Sequence, residues 1–164
     1  TRISMLRIEE MIRRSLLIAD GDDRILWVWR EDSNQDGKMN LSETSLVFWE
    51  QDAQQLVEYR SDASGGSDKA IHSWLYGHAE WVYQFYFANS SSTVRTVLAD
   101  DVSDFQIETT PDAPYGEFVT LSITVAKGER EMTLRSAVKL RDSWGEYIEW
   151  TGDRWSVVRY EDEP

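Results

Sequence analysis

The chain has no cysteine, which excludes a disulfide framework, a thiolate metal site and a cysteine nucleophile. Long apolar runs are missing too. The longest, Ile25 to Trp29, is far short of the roughly 20 residues that span a bilayer. Basic residues are scarce, with 17 Lys and Arg against 30 Asp and Glu and a net charge of −13. That balance opposes binding to nucleic acid or anionic lipid and leaves cations and basic partners open. Histidine occurs twice, at His72 and His78, a spacing that suits neither a metal-binding i, i+4 pair nor an evident catalytic pairing. Both read as structural or solvent-facing. No nucleophile, base and orienting group can be assembled from what remains, so the expectation is a protein that is not an enzyme and has no small-molecule substrate.

The 164 residues suffice for one domain with a full core and are too few for two comfortable ones. Residues Thr1 to Asp20 read as one amphipathic helix, with Met5, Ile8, Met11, Ile12, Leu16 and Ala19 on a broad apolar face. Arg2, Arg7, Glu9, Arg13 and Arg14 lie mostly opposite. A second, narrower apolar strip of Ile3, Leu6 and Leu17, shared with Glu10, occupies the side that should be wet. Helices with two apolar sides usually have two partners, although single exposed leucines are common. Asp20-Gly21-Asp22-Asp23 then ends the helix, with Gly in the place of a left-handed cap.

Arg24 to Arg30 reads as a strand with two apolar faces, hence covered on both sides. The sharpest motif follows: Asp32 to Glu43 reads D-S-N-Q-D-G-K-M-N-L-S-E. On a twelve-residue calcium loop this places Asp32, Asn34, Asp36, the Lys38 carbonyl, Asn40 and Glu43 at the six ligand positions, with Gly37 at the sharp bend and Met39 apolar at the eighth. Calcium takes six to eight hard oxygens, and a terminal Glu can close the shell. An Asx-rich turn whose side chains cap their own backbone fits the same residues. Structural calcium is therefore the expected cofactor. Leu46 to Trp49 and Gln55 to Arg60 read most easily as a hairpin around Gln51 to Gln54, although Trp49, Ala53, Leu56 and Tyr59 also fit a helix.

Residues 61–92 form a linker, Ser61 to Ser67, and an aromatic-rich segment. There Ile71, Trp74, Leu75, His78, Val82 and Phe85 recur at helical spacing behind Ser67 as an N-cap. Its later half, Trp81 to Phe87, fits a strand equally. An aromatic stripe at this spacing reads as core rather than as a sugar-stacking surface. After the loop at Asn89 to Ser92, Val94, Val97, Leu98, Val102 and Phe105 mark a short helix or irregular turn. It runs into a strand near Gln106 to Thr109, and Asp100, Asp101 and Asp104 read as a solvated face. Phe118 to Ala126 alternates as a half-buried antiparallel strand, Lys127 to Arg130 turns the chain, and Met132, Leu134, Val138 and Leu140 line the return strand. A last hairpin, Glu146 to Trp150 and Arg154 to Tyr160, turns at Thr151-Gly152-Asp153. The fold expected is α+β: an N-terminal helix packed on an antiparallel sheet, with one or two further short helices.

This order of parts resembles the globular domain of type IV pilin-like proteins, most of all the minor pseudopilins of type II secretion systems. The run Val97-Leu98-Ala99-Asp100-Asp101-Val102-Ser103-Asp104-Phe105, leading into Val119-x-Leu121-x-Ile123-x-Val125 and the turn to Leu134, carries the likeness. So does Leu26-Trp27 before the Asp32 to Glu43 loop. The resemblance implies a prepilin-type leader and an apolar membrane half of the opening helix upstream of Thr1. It implies anchoring in a bacterial inner membrane with the domain on the periplasmic face, a role in protein transport, and other pilin-like subunits as partners. Ile3, Leu6, Glu10 and Leu17 would then face neighbouring subunits. A different class of reading is a soluble calcium-binding module of EF-hand or dockerin type, which predicts helices on both sides of Asp32 to Glu43.

Overall fold

A computed structural model describes residues 2–22, 24–35, 38–62, 78–88, 91–113, 116–140, 148–150 and 155–157. The protein is α+β, with an N-terminal helix and antiparallel sheets. Helix α1 (Arg2–Arg14) buries Ser4, Met5, Ile8 and Ile12 and closes with Arg13 and Arg14 in its last turn, where cations suit the carbonyl end of the helix.

The helix is shorter than its hydrophobic pattern predicts, and this corrects the reading of residues 1–20. Ser15 Oγ donates to the Met11 carbonyl at 2.7 Å, and Leu16 N donates to the Trp29 carbonyl at 2.8 Å, so the chain leaves the helix and enters a sheet. Strand β1 (Leu17–Gly21) follows. The cause is the unbroken run Leu16-Leu17-Ile18-Ala19, which a helix on one surface can bury only in part, whereas a strand covered on both faces buries all of it. Gly21 ends this strand instead of capping a helix. A Cβ there would meet Thr109 Cγ2 at 3.0 Å and Ile107 Cγ2 at 3.2 Å, so glycine is needed for close approach to the second sheet.

A five-stranded antiparallel sheet runs in sequence order through β1, β2 (Ile25–Trp29), β3 (Thr44–Glu50), β4 (Gln55–Ser61) and β5 (Thr93–Ala99). All five residues of β2 are buried, as its two apolar faces predict. The β3–β4 hairpin forms around Gln51 to Gln54 with Gln54 at φ 52°, which resolves that ambiguous segment in favour of strands. A second sheet contains β6 (Val102–Thr110), β7 (Phe118–Lys127) and β8 (Arg130–Lys139). Its β7–β8 turn places Gly128 at φ 63°. The last hairpin pairs β9 (Ile148–Trp150) with β10 (Trp155–Val157), Trp155 opposite Trp150.

Residues 94–105 are a second correction. Instead of a helix or irregular turn they give two strands, β5 and β6, joined at Asp100-Asp101 with Asp101 at φ 57°. Thr93, Val94, Thr96 and Val97 favour extended backbone, β5 pairs with β4 from Val57–Val97 to Ser61–Thr93, and aspartate tolerates the left-handed region the turn requires.

The five-stranded sheet has a core on each face. On one, Met5, Ile8 and Ile12 of α1 pack with Ile18, Leu26, Val28 and Val47 and with Phe105, Leu121 and Ile123 of the second sheet. On the other, Leu17, Trp27, Trp29, Leu46 and Val57 pack with Met39, Ala79, Val82 and Phe87. The last three belong to α2 (Ala79–Val82) and the π-helical turn Tyr83–Phe87 that continues it, so residues 81–87 are helical rather than extended. Tyr83 stacks on Phe48 with ring centroids 4.7 Å apart and planes at 17°. Of this segment's aromatics, Phe87 is thus core and Tyr83 and Tyr86 pack against it, whereas Trp81 is 57% exposed. The segment's first half, with Ser67, His72 and Trp74, lies outside the described residues, as do Asp23, Asn89, Pro114, Arg141, Thr151 to Arg154 and the acidic tail.

Candidate functional site

The Asp32 to Glu43 loop leaves the sheet at Trp29 and re-enters it at Thr44, through a 3-10 turn at Leu41–Glu43. Met39 and Leu41 are buried in the aromatic core, so two apolar anchors hold the loop against the sheet. Strands flank the loop on both sides, which rules out the helix–loop–helix arrangement that an EF-hand or dockerin module needs.

Glu43 is the centre of this loop. It is 2% exposed, and both carboxylate oxygens are met by N–H or O–H donors. Oε1 accepts from Ser33 N at 2.8 Å, Ser33 Oγ at 2.9 Å and Asn34 N at 3.4 Å. Oε2 accepts from Asn40 N at 3.1 Å, Asn40 Nδ2 at 3.5 Å and Trp29 Nε1 at 3.4 Å. Burial of a carboxylate is costly without such partners, and charge-assisted bonds are the strong ones. The glutamate therefore ties the loop's start, its end and the indole of β2 to one point.

This arrangement fits a calcium shell only in part. Asp32 is half-buried, Asn34 and Lys38 are exposed, Asn40 is buried, and Asp36 and Gly37 lie outside the described residues. The carboxylate that would close the shell faces donors on both oxygens, so as placed it acts as the loop's own anion rather than as a ligand. The ligand pattern in sequence singles out Glu43; Ser33 and Trp29 as its partners are not visible there, because neither belongs to a metal-loop pattern.

The outward side of α1 is the second candidate. Ile3 and Leu6 are 82% and 54% exposed, and Glu10, exposed beside them, pairs with Arg14 at 2.5 Å. Leu17 does not belong with them. It is 1% exposed and sits in β1 inside the aromatic core, because the helix ends three residues earlier. On its inner side α1 is fixed to the sheet by polar contacts as well as by packing: Ser4 Oγ donates to the Leu98 carbonyl, and Arg7 Nη2 pairs with Glu58 Oε2 at 2.9 Å. Glu58 is a buried acid that sequence reasoning missed, although its place in the apolar run between Leu56-Val57 and Tyr59 was a signal.

Of the two histidines, only His78 is among the described residues, and it enters neither place. His78 is exposed and precedes α2, where Asp20 Oδ2 accepts from Ala79 N at 2.7 Å. Asp100 and Asp101 form the exposed β5–β6 turn and Asp104 lies in β6; among the described residues no group of three His, Cys, Asp or Glu has the arrangement of a metal site. Among the described residues no helix is long and apolar enough to cross a membrane. Compared with known proteins, the chain matches no family model, no curated protein and no solved structure.

Proposed function

We propose that this chain is the globular domain of a pilin-like or pseudopilus subunit in bacterial protein transport, a non-enzymatic part that works by packing against other subunits. The observation that carries this reading is the two-sidedness of α1: its inner face is locked in the core while Ile3 and Leu6 stand in solvent. A helix already anchored by one face can offer the other to neighbouring helices without unfolding. Glu10 and Arg14 border the strip and would limit how such neighbours align. The antiparallel sheets behind the helix are consistent with a pilin-like domain.

In the same reading the Asp32 to Glu43 loop is a structural staple between β2 and β3. Calcium, supplied outside the cytoplasm, would be held by Asp32, Asn34, Asp36, the Lys38 carbonyl and Asn40, with Glu43 exchanging N–H donors for the ion. The ion would add charge neutralisation to an acidic loop and cross-link its two ends.

Two measurements test the subunit role. The gene upstream of Thr1 should encode a processing site and an apolar stretch of about 20 residues; a start codon directly before Thr1 would remove the proposal. In cells, Ile3→Cys and Leu6→Cys in this cysteine-free sequence should give cross-links to other subunits, and the double change Ile3→Asp, Leu6→Asp should abolish assembly while leaving the soluble domain folded. Cross-linking confined to a cysteine placed on the opposite side of the molecule would also overturn it.

A further inference from the structure

A cavity of about 380 Å³ opens where α1 crosses the end of β2 and the middle of β4. Four arginines line it, Arg7, Arg14, Arg30 and Arg60, in a protein whose net charge is −13. Most of these charges are spoken for. Glu58, 3% exposed at its side chain, takes Arg7 at 2.9 Å and Arg60 at 2.6 Å, and Glu10 takes Arg14 at 2.5 Å.

Arg30 is different. Its Nη2 donates to the Ser42 carbonyl at 2.9 Å, but it has no carboxylate partner within ion-pair distance among the described residues. Its Nε is buried without any hydrogen-bond partner. A guanidinium has five N–H donors, and a half-buried one that satisfies a single acceptor is costly. Burial, and then the neighbouring Arg60 charge, hold its pKa below the usual arginine value. Glu31 also lines the cavity and raises that pKa by its charge, yet it is exposed and forms no ion pair with Arg30. Ile8, Met11 and Leu98 give the same cavity an apolar wall.

We infer that this cavity is an anion site for a small organic carboxylate, whose head engages Arg30 and whose apolar stem lies on Ile8, Met11 and Leu98. Carboxylate suits the planar fork of arginine, and the volume lies in the range of small-ligand pockets. Glu10 and Glu31 at the rim and the buried Glu58 disfavour a more highly charged anion such as phosphate. Ile3 and Leu6 take no part in the site, while Glu10 and Arg14 belong both to its lining and to the border of the outward strip, so Arg30 is the residue that separates it from the subunit role.

The test is a titration of the soluble domain with pentanoate, a monocarboxylate with an apolar stem, at low ionic strength, read from the arginine Nε–H signals in proton–nitrogen correlation spectra, with inorganic phosphate as the second probe. Pentanoate should give a saturable shift of the Arg30 signal with Kd on the order of 1 mM. Arg30→Gln should weaken binding, read from the backbone amides of α1, at least about tenfold, and Arg24→Gln, away from the cavity, should leave it within about twofold. If Arg30→Gln does not fold, Arg14→Gln at the exposed rim should weaken pentanoate about threefold. Absence of saturation up to about 20 mM, or unchanged binding in the cavity variants, overturns the site. Phosphate binding as tight as pentanoate overturns the carboxylate assignment.

Discussion

Arg7 on α1 and Glu58 on β4 meet at 2.9 Å across the boundary between helix and sheet, the arginine half-exposed and the glutamate buried. Glu58 also accepts from Ser45 Oγ at 2.9 Å and from Arg60 Nε at 2.6 Å, so one carboxylate joins the helix to two strands. Replacing it leaves three donors with reduced acceptance. Glu58→Gln should lower stability by about 2 kcal/mol, whereas Arg7→Gln should cost about 1 kcal/mol or less because Glu58 keeps its other partners. Urea melts of the two variants check the order, and an Arg7→Gln loss larger than that of Glu58→Gln would contradict it.

The Asp32 to Glu43 loop makes a parallel prediction. Glu43→Gln puts an amide N–H₂ against some of the donors now facing the carboxylate, and should cost about 2 to 3 kcal/mol without calcium. Asp32→Ala, on the half-buried side of the loop, should cost less than about 1 kcal/mol under the same conditions. Adding calcium should raise the melting temperature of the native domain and of neither variant. With a site of about 0.1 to 1 mM affinity, a tenfold excess over Kd stabilises by about 1.4 kcal/mol. Calorimetry showing no heat at millimolar calcium would leave the loop as a staple held by Glu43 alone.

Two acids respond to pH in opposite senses. Glu50 accepts from Arg95 Nη2 at 2.6 Å and from the Tyr59 hydroxyl. The Arg95 hydrogen bond is the main reason that its pKa lies below the ordinary 4.5. Its contribution to stability is present above pH 4.5 and is lost as pH falls through the lower folded value. Asp20 is shifted the other way, above 3.8, because burial outweighs the hydrogen bonds from Ala79 and Gly21. Its contribution is greatest below pH 3.8 and declines as pH rises through the folded value. Carboxyl-carbon titration by NMR should place Glu50 below 4.5 and Asp20 above 3.8, and Arg95→Gln should move Glu50 upward while leaving Asp20 unchanged.

Gly21 and Gly128 should resist alanine for different reasons. At Gly21 the new methyl meets Thr109 and Ile107 at 3.0 and 3.2 Å, so β1 and β6 must separate slightly, at a cost of about 1 to 2 kcal/mol. At Gly128 there is open space but φ is +63°, and alanine should cost about 1 kcal/mol through backbone conformation alone. Chemical denaturation quantifies both. Asn at position 128 should recover part of the loss, whereas Asn at position 21 should not.

Strands with one or two clear faces were legible from residue pattern. Ile25 to Trp29, the alternation of Val119, Leu121 and Ile123, and the turn at Gly128 predict β2, β7 and the β7–β8 hairpin because period-two alternation and glycine at a tight turn are local constraints. The misreadings share a cause. Leu16 to Ala19 continue the helical apolar face as well as they fill a strand, and Val94, Val97 and Val102, all β-branched, share a helical spacing with Leu98 and Phe105. Local pattern cannot choose between them, because the choice depends on pairing partners, Trp29 for Leu16 and the β4 edge for β5.

The candidate sites divide in the same way. Sequence by itself determined the absence of thiol chemistry, the acidic balance, the outward apolar residues Ile3 and Leu6, and the ligand-like order from Asp32 to Glu43, since each depends on residue identity or short-range spacing. Tertiary structure decided that Leu17 is core, that Glu43 is held by Ser33, Asn40 and Trp29, and that Arg30 faces a cavity with too few acceptors. Those outcomes rest on groups brought together from separate strands and the helix. Burial, which sets the cost of every unpaired polar group, arises only when the sheet and its two coverings close around them.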